Sequence, residues 1–215
     1  MRVRDDDIHD HGTPGWSVGL IGRTLPSVTN FSGRTLGLEE AAAVTRVLES
    51  GILSSAWGTE VHALEHEMAE RFGVTNAVAC SSGTAAIHLA MAAAAISPGD
   101  EVITTPISDF GSVAPIPAQN AVPVFADVDP ATGNLDPSAV QRAIGPHPRA
   151  ILVVHLFGAP TPLEPLRRLP DKHNLTLIED CAQAWLSETD TPWDFGRHGR
   201  RRRVFQPAAV EAHHL

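Results

Sequence analysis

We base the fold prediction on one stretch, Val78-Ala79-Cys80-Ser81-Ser82-Gly83-Thr84-Ala85-Ala86-Ile87-His88-Leu89-Ala90-Met91. It begins inside an apolar run, Ala77 to Cys80, which predicts a buried strand. A small polar turn ends the run, and the alanine-rich residues after it carry apolar side chains at helical spacing. The pattern therefore predicts a strand, a tight turn and a helix in immediate succession.

The turn between this strand and this helix suits a phosphate group. The first backbone N–H groups of a helix have no partner within it, and the helix dipole adds partial positive charge there. Gly83 lets an anion approach the backbone closely, and the hydroxyls of Ser82 and Thr84 can add donors. A simple helix cap by Ser82 or Thr84 explains the same residues, so both interpretations stay open at this point.

Length, composition and charge limit the class of protein. The 215 residues suffice for one domain with a good core, and the hydrophobic fraction of 43% is typical of globular proteins. The net charge of −9 argues against a nucleic-acid partner. Cys80 and Cys181 both lie in apolar segments, which predicts reduced core thiols. Because no segment resembles a leader or a membrane span, we expect a cytoplasmic protein without a membrane partner.

Apolar strands and helical patterns alternate along the chain. The predicted strands are residues 77–80, 101–105, 122–128, 150–155 and 175–178. The predicted helices after the loose arm 1–31 are residues 38–48, 60–72, 110–119, 136–144 and 163–169, besides the helix that follows Gly83. This order predicts an α/β fold, a three-layer α/β/α arrangement with a mostly parallel sheet. Ligands bind at the carboxyl ends of such strands, where the sequence places Ser82–Thr84, His155, and Asp180 with Gln183.

Five motifs together resemble a known family. They are Cys80 to Met91, Pro98-Gly99-Asp100-Glu101-Val102-Ile103, Val122-Pro123-Val124-Phe125-Ala126-Asp127-Val128, Val154-His155-Leu156-Phe157-Gly158 and Ile178-Glu179-Asp180-Cys181-Ala182-Gln183-Ala184. In this order they resemble the sugar and cyclitol aminotransferases of the DegT/StrS type, over roughly Ser32 to Ser187. The resemblance implies the large domain of a fold-type I pyridoxal phosphate enzyme. It also implies homodimers that transfer an amino group from glutamate or glutamine to a keto-sugar or keto-cyclitol.

The resemblance implies cofactor roles for particular residues. Ser82, Gly83 and Thr84 would hold the phosphate of pyridoxal phosphate. Asp180 would pair with the pyridine nitrogen, and a carboxylate there keeps that nitrogen protonated, so that the ring accepts electrons from the substrate. Gln183 would lie beside the ring hydroxyl. The alternative for Asp180 is an N-cap of a following helix.

Two further residues belong to this candidate cofactor set with less support from the motifs. The family stacks an aromatic side chain on the cofactor, and the corresponding segment, Pro106 to Ser112, contains only Phe110. His155 follows a predicted strand, and a packed structural histidine explains it as well as a cofactor contact does.

The chain lacks the lysine that the resemblance requires. A transaminase of this family uses a Schiff-base lysine a few dozen residues after the Asp180 motif, in a run of the form Phe-Ser-x-x-x-x-Lys. The only lysine, Lys172, precedes the last predicted strand and so lies at its amino end. We therefore predict no catalytic lysine in this chain and an inactive fragment. A non-catalytic relative, or a dehydratase with histidine in place of lysine, is the alternative, and His213 and His214 are its candidates.

The composition changes abruptly after Leu186. Five arginines lie between Arg197 and Arg203, and the end has no structural period. Shifting the reading frame from Phe205 onward by one base allows the sequence Phe-Ser-Leu-Gln-Gln-Ser-Lys-His, with lysine opposite Glu211. We therefore expect residues 188–215 to be an aberrant, disordered tail after an incomplete cofactor domain at residues 32–187. The strands that would flank Ala77–Cys80 would then be encoded beyond the shift.

A zinc hydrolase is a remote alternative. His62 and His66 stand one helical turn apart with Glu65 between them, which matches an inverted zinc-peptidase pattern. A solvated helix face explains the same residues, and no third ligand at a recognisable spacing is evident. We expect no metal.

Overall fold

The computed structural model describes residues 36–173, 175–193 and 201–204, and the chain divides into two compact units, Met1–Trp57 and Gly58–Leu215. The predicted arm at residues 1–31 lies outside the described residues. Helix α1 (Leu38–Ser50) belongs to the first unit. Its start is fixed by the N–H of Gly37, which donates to Glu40 Oε2 at 2.6 Å. This hydrogen bond holds the pKa of Glu40 below its usual value.

A parallel four-stranded sheet forms the second unit, as the alternating pattern predicts. Its strands are β1 (Glu101–Thr104), β2 (Val122–Phe125), β3 (Pro148–Val154) and β4 (Thr176–Asp180), in the order β2-β1-β3-β4. All three strand pairs are parallel. The helices of this unit are α2 (Glu60–Phe72), α3 (Gly83–Ala93), α4 (Phe110–Val113), α5 (Pro115–Ala118), α6 (Pro137–Ala143) and α7 (Leu163–His173).

Helices cover both faces of this sheet, which confirms the three-layer α/β/α prediction. Along β3, Ile151 joins the core on the side of α6 and α7, whereas Leu152 joins the core on the side of α3 and α5. Both side chains are fully buried. Because a strand alternates its side chains between the two faces, a strand buried on both sides must be apolar throughout. This requirement made β3 recognisable in the sequence.

The predicted helix at residues 110–119 is divided into α4 and α5. Pro115 has no N–H group, and its ring clashes with the carbonyl four residues earlier in a continuous helix. Pro115 is instead the first residue of α5, where the missing donor costs nothing. The break leaves α4 as a single short turn beside the carboxyl end of β1.

The predicted buried strand at Ala77–Cys80 is wrong. The segment has no regular secondary structure, and Val78 is 76% exposed. The N–H of Ala79 donates to a side chain, Glu65 Oε1, at 2.8 Å, and not to the backbone of a neighbouring strand. No strand of the described residues pairs with it. For the same reason Cys80 is exposed, contrary to the core prediction, whereas Cys181 is buried as expected.

Two parts of the predicted tail at residues 188–215 form strands. Strands β5 (Glu188–Trp193) and β6 (Arg201–Val204) pair antiparallel in a separate two-stranded sheet. Residues 194–200 and 205–215 lie outside the described residues. Within the described part of the chain, no helix combines the length and hydropathy that crossing a bilayer requires.

Candidate functional site

Three segments meet at the carboxyl ends of the strands. They are the start of α3, the segment from Thr105 to α4 that follows β1, and the end of β4. Gly111 of α4 lies so close to α3 that an added Cβ atom would be 2.6 Å from Thr84 Oγ1. Ser112 of α4 donates its hydroxyl to Asp180 Oδ2 of β4 at 2.6 Å. Helix α4 therefore connects the predicted phosphate turn with the predicted pyridine-binding carboxylate.

The N-terminus of α3 has free donors after capping. Ser82 is the N-cap, and its Oγ accepts from the N–H of Ala85 at 3.1 Å. The cap interpretation is therefore correct for Ser82, but this hydroxyl satisfies only one of the first-turn donors. The amides of Gly83 and Thr84 remain at the helix end, where the helix dipole is positive. An added Cβ on Gly83 would meet nothing within 4 Å, so an anion has room beside this backbone.

The Asp180 carboxylate is buried and hydrogen-bonded at both oxygens. Oδ1 accepts from the N–H of Ala182 at 3.1 Å, and Oδ2 accepts from Ser112. The side chain is only 4% exposed. No helix follows in residues 181–187, so the alternative role of Asp180 as a helix N-cap is not what the structure shows.

Gln183 connects the end of β4 to the loop after β3. Its Oε1 accepts from the N–H of Phe157 at 3.0 Å. Phe157 has a left-handed backbone, with φ 54° and ψ 26°, although its side chain is 80% exposed. Asn134 holds the same loop, because its Oδ1 accepts from the N–H of Leu156 and its Nδ2 donates to the carbonyl of Ala159. With its carbonyl oxygen engaged, Gln183 retains its amide N–H groups as donors.

His155 lies apart from the other site residues. It is fully buried, its Nδ1 accepts from the N–H of Thr161 at 3.0 Å, and its Nε2 lies 3.0 Å from Glu179 Oε2. Since Nδ1 accepts, Nε2 carries the proton in the neutral ring and donates to Glu179. Glu179 precedes Asp180 in β4 and so points to the opposite face of the sheet. The structure thus brings the His155 ring to Glu179, and the backbone N–H of His155 to the carbonyl of Asp180.

Candidate metal ligands occur together once among the described residues, at His155, Glu179 and Cys181. The potential ligand atoms lie within 4.8 Å of one another. The hydrogen bonds to Thr161 and Glu179 engage both ring nitrogens of His155, so this cluster is a hydrogen-bonded core. The two histidines of the zinc-like pattern, His62 and His66, are exposed and pair with acidic residues of their own helix.

Phe110 is the first residue of α4 and is 79% exposed. Asp109 caps this helix, accepting from the N–H of Gly111 at 2.7 Å. Phe110 thus stands next to the glycine that approaches Thr84. Phe110 belongs to neither described core cluster.

Residues 34–199 of the sequence match the DegT/DnrJ/EryC1/StrS aminotransferase family. The match includes every site segment described above. The chain belongs to this family. The resemblance carried by the five motifs is thereby confirmed, and the match extends beyond its predicted end at Ser187.

Comparison with individual proteins supports this conclusion. The chain is 43% identical over 184 residues to the L-glutamine:2-deoxy-scyllo-inosose aminotransferase of Streptomyces kanamyceticus, covering 81% of this chain and 40% of the relative. The aminotransferase from Psychrobacter cryohalolentis is 40% identical, with a TM-score of 0.69 over 72% of this chain and 39% of that one. NtdA from Bacillus subtilis, with bound cofactor PMP, is 31% identical, with a TM-score of 0.64 over 66% of this chain and 32% of that one. The chain thus spans about 40% of the length of the relatives that it matches.

The residues of this chain fit the family's cofactor, pyridoxal phosphate or its amino form, at three points. The start of α3 offers amide donors and space for a phosphate. Asp180 offers a carboxylate with free lone pairs beyond its two hydrogen bonds, which suits a protonated pyridine nitrogen. Gln183 offers amide donors for a ring oxygen. Lys172 lies in α7, before the amino end of β4.

Proposed function

We propose that this chain carries the cofactor-binding part of an aminotransferase for a keto-cyclitol or keto-sugar, with glutamine or glutamate as amino donor. The observation that supports this proposal most is the connection of Thr84, Gly111, Ser112 and Asp180 through α4. This connection brings an anion site and a buried carboxylate close together, and pyridoxal phosphate needs one of these at each end. The named cyclitol aminotransferase among the relatives supports the substrate class and the glutamine donor.

Each site residue then has a defined role. The amides of Gly83 and Thr84 bind the phosphate, with the Ser82 and Thr84 hydroxyls as further donors, and Phe110 stacks on the ring. When bound, pyridoxal phosphate supplies an electron sink for the substrate carbon that loses its proton. Asp180 holds the proton on the pyridine nitrogen, because a carboxylate stabilises the positive ring. Gln183 donates its amide to the ring oxygen.

His155 supports the site indirectly in this proposal. Its hydrogen bonds to Thr161 and Glu179 fix the backbone at the ends of β3 and β4. The N–H of His155 also donates to the carbonyl of Asp180, as part of the strand pairing.

We propose further that these 215 residues bind the cofactor without transferring amino groups. Proton transfer at the substrate carbon needs a base close to the ring, and Lys172 lies on the amino side of β4. A frameshift that hides the lysine motif opposite Glu211 remains our explanation, and resequencing the coding DNA from codon 186 onward tests it. In an intact homodimer of cytoplasmic location, as we propose for the whole protein, that lysine completes the site.

Binding of pyridoxamine phosphate to the whole chain tests the first proposal, since this amino form needs no lysine. Near-ultraviolet circular dichroism of the bound ring reports the affinity. We expect Asp180→Asn to raise the Kd about tenfold or more, because a charge-assisted hydrogen bond is lost. The matched control is Asp127→Asn, whose exposed carboxylate accepts only from the N–H of its neighbour Val128. Equal affinity in both variants would contradict the role of Asp180.

Turnover and covalent labelling test the second proposal. With pyridoxal phosphate, L-glutamine and 2-deoxy-scyllo-inosose, we expect no keto group to become an amine. Borohydride reduction followed by peptide mapping should find no cofactor on a specific residue. Stoichiometric labelling of one residue together with amino transfer would show that these 215 residues suffice.

A further inference from the structure

A relay of three side chains leads from the loop after β1 to the end of β4. Ser108 Oγ donates to Ser112 Oγ at 2.8 Å, and Ser112 Oγ donates to Asp180 Oδ2 at 2.6 Å. Proton counting fixes this direction: a carboxylate only accepts, so the single hydroxyl proton of Ser112 points to Asp180. Ser112 can then only accept from Ser108. We propose that Ser112, supported by Ser108, is a positioning residue that orients the Asp180 carboxylate toward the pyridine nitrogen; this inference rests on the proposed function.

Burial makes the contact between Ser112 and Asp180 strong. Both residues are only 4% exposed, so water competes little for either partner. The oxygen–oxygen distance of 2.6 Å lies in the range of charge-assisted hydrogen bonds to a carboxylate. The two residues are 68 positions apart in the sequence, so the contact also joins α4 to β4.

The two donors to Asp180 determine where its remaining lone pairs point. Ser112 occupies one site on Oδ2, and the N–H of Ala182 occupies one site on Oδ1. With one donor on each oxygen the carboxylate plane cannot rotate freely, and each oxygen keeps a lone pair for a third donor. A protonated pyridine nitrogen is a donor of this kind. Removing the Ser112 hydroxyl frees Oδ2 and lets the plane rotate away from that direction.

Ser108 acts on Asp180 without touching it. Hydrogen bonds in a chain polarise one another, by about 10–30% per bond. A donated bond from Ser108 therefore strengthens the bond that Ser112 donates to Asp180. The relay predicts a graded response, in which loss of the Ser112 hydroxyl has a large effect and loss of the Ser108 hydroxyl a small one of the same sign.

The first experiment examines the whole chain without cofactor. Carbon-13 NMR of the Asp180 carboxyl carbon is compared in wild type, Ser112→Ala, Ser108→Ala and Ser112→Thr. We expect a changed chemical shift in Ser112→Ala, a smaller change in Ser108→Ala, and recovery in Ser112→Thr, which keeps a hydroxyl. The control is Ser97→Ala, because Ser97 is exposed and its hydroxyl bonds only its local backbone. An unchanged carboxyl shift in Ser112→Ala would overturn the inference.

The second experiment adds pyridoxamine phosphate labelled with nitrogen-15 in the ring. In wild type we expect the signal of a protonated ring nitrogen. Ser112→Ala should move it toward the neutral form and raise the Kd about tenfold, and Ser108→Ala should raise the Kd about twofold. A purely structural role for Ser112 would lower the thermal stability or the bound fraction but leave the nitrogen signal of the bound ligand unchanged, which would overturn the inference.

The two experiments separate this inference from the proposed function. If wild type binds no pyridoxamine phosphate, the proposed function fails for this chain, and the carboxyl shift without cofactor still decides whether Ser112 orients Asp180. If Ser112→Ala does not fold, the other two variants are compared with wild type. The Asp180 carboxyl shift should change in Ser108→Ala and keep the wild-type value in Ser112→Thr.

Discussion

Replacing Gly111 with alanine tests the closest approach between two elements of the site. The new methyl carbon would lie 2.6 Å from Thr84 Oγ1 and 2.8 Å from Asp109 Oδ1. The first distance is about 0.8 Å shorter than an ordinary contact, which begins at 3.4 Å. Thr84 is short and branched and belongs to the first turn of α3, so its hydroxyl can only rotate away or push α4 outward.

The expected magnitude follows from these two clashes. Overpacking by one methyl group lowers the free energy of unfolding by about 1–3 kcal/mol. Because two contacts are short, we expect a loss of about 2 kcal/mol in Gly111→Ala. For a chain of this length, that free energy lowers the Tm by about 4–8 °C, measured by circular dichroism. Because the Thr84 hydroxyl moves, the affinity for pyridoxamine phosphate should fall as well.

A double-mutant cycle with Thr84→Ala identifies the cause. Removing Oγ1 relieves one of the two clashes, since Thr84 Cβ would lie 3.9 Å from the new methyl carbon. The penalty of Gly111→Ala should therefore fall to about 1 kcal/mol in the Thr84→Ala background. An equal penalty in both backgrounds, or no penalty in either, would refute the close approach between α4 and the phosphate turn.

Three further variants test other parts of the structure. Gln183→Glu keeps the acceptor for Phe157 N–H but loses the amide donor, so the Tm should hold while the pyridoxamine phosphate Kd rises about tenfold. Leu152→Ala should lower the free energy of unfolding, measured by chemical denaturation, by about 2–5 kcal/mol. The control Leu89→Ala, at a half-exposed side chain, should lower it by less than about 0.5 kcal/mol. The Ser138 hydroxyl, then its N–H, holds the pKa of Asp136 below the usual aspartate value. Asp136→Ala should therefore lower the Tm at neutral pH, and its difference from wild type should become smaller as the pH falls through that lowered pKa; a constant difference across acid pH would contradict this.

The sequence predicted the central sheet because burial on both faces constrains each strand. Residues 150–154 are a continuous apolar run, and Val102 and Ile103 in the middle of β1 are apolar and fully buried. Helix α2 was predicted with its observed bounds, because its apolar residues at helical spacing run as far as Phe72 and the next residue, Gly73, ends the helix. In each case the deciding information lies within about a dozen neighbouring residues.

The parts of the site that the sequence did not reveal depend on distant residues or on backbone conformation. The bond from Ser112 to Asp180 joins positions 68 apart, and nothing local to Ser112 distinguishes it from a surface serine. Phe157 occupies a left-handed conformation that favours glycine; its N–H donates to Gln183, and the N–H of the preceding Leu156 donates to Asn134. Asn134 itself lies in a turn whose sequence, Thr132-Gly133-Asn134, predicts no more than a turn.

The exposed segment Ala77–Cys80 shows why an apolar run alone does not determine a strand. A strand is stable only when its N–H and C=O groups find a neighbouring strand, and Ala79 instead donates to Glu65 of α2. The turn that follows still forms, because Ser82 caps α3 through bonds within five residues. The phosphate turn is therefore a local structure, whereas the position of the strand before it depends on pairing. Cofactor affinity should accordingly respond more to variants in α3 and α4 than to variants in Ala77–Cys80.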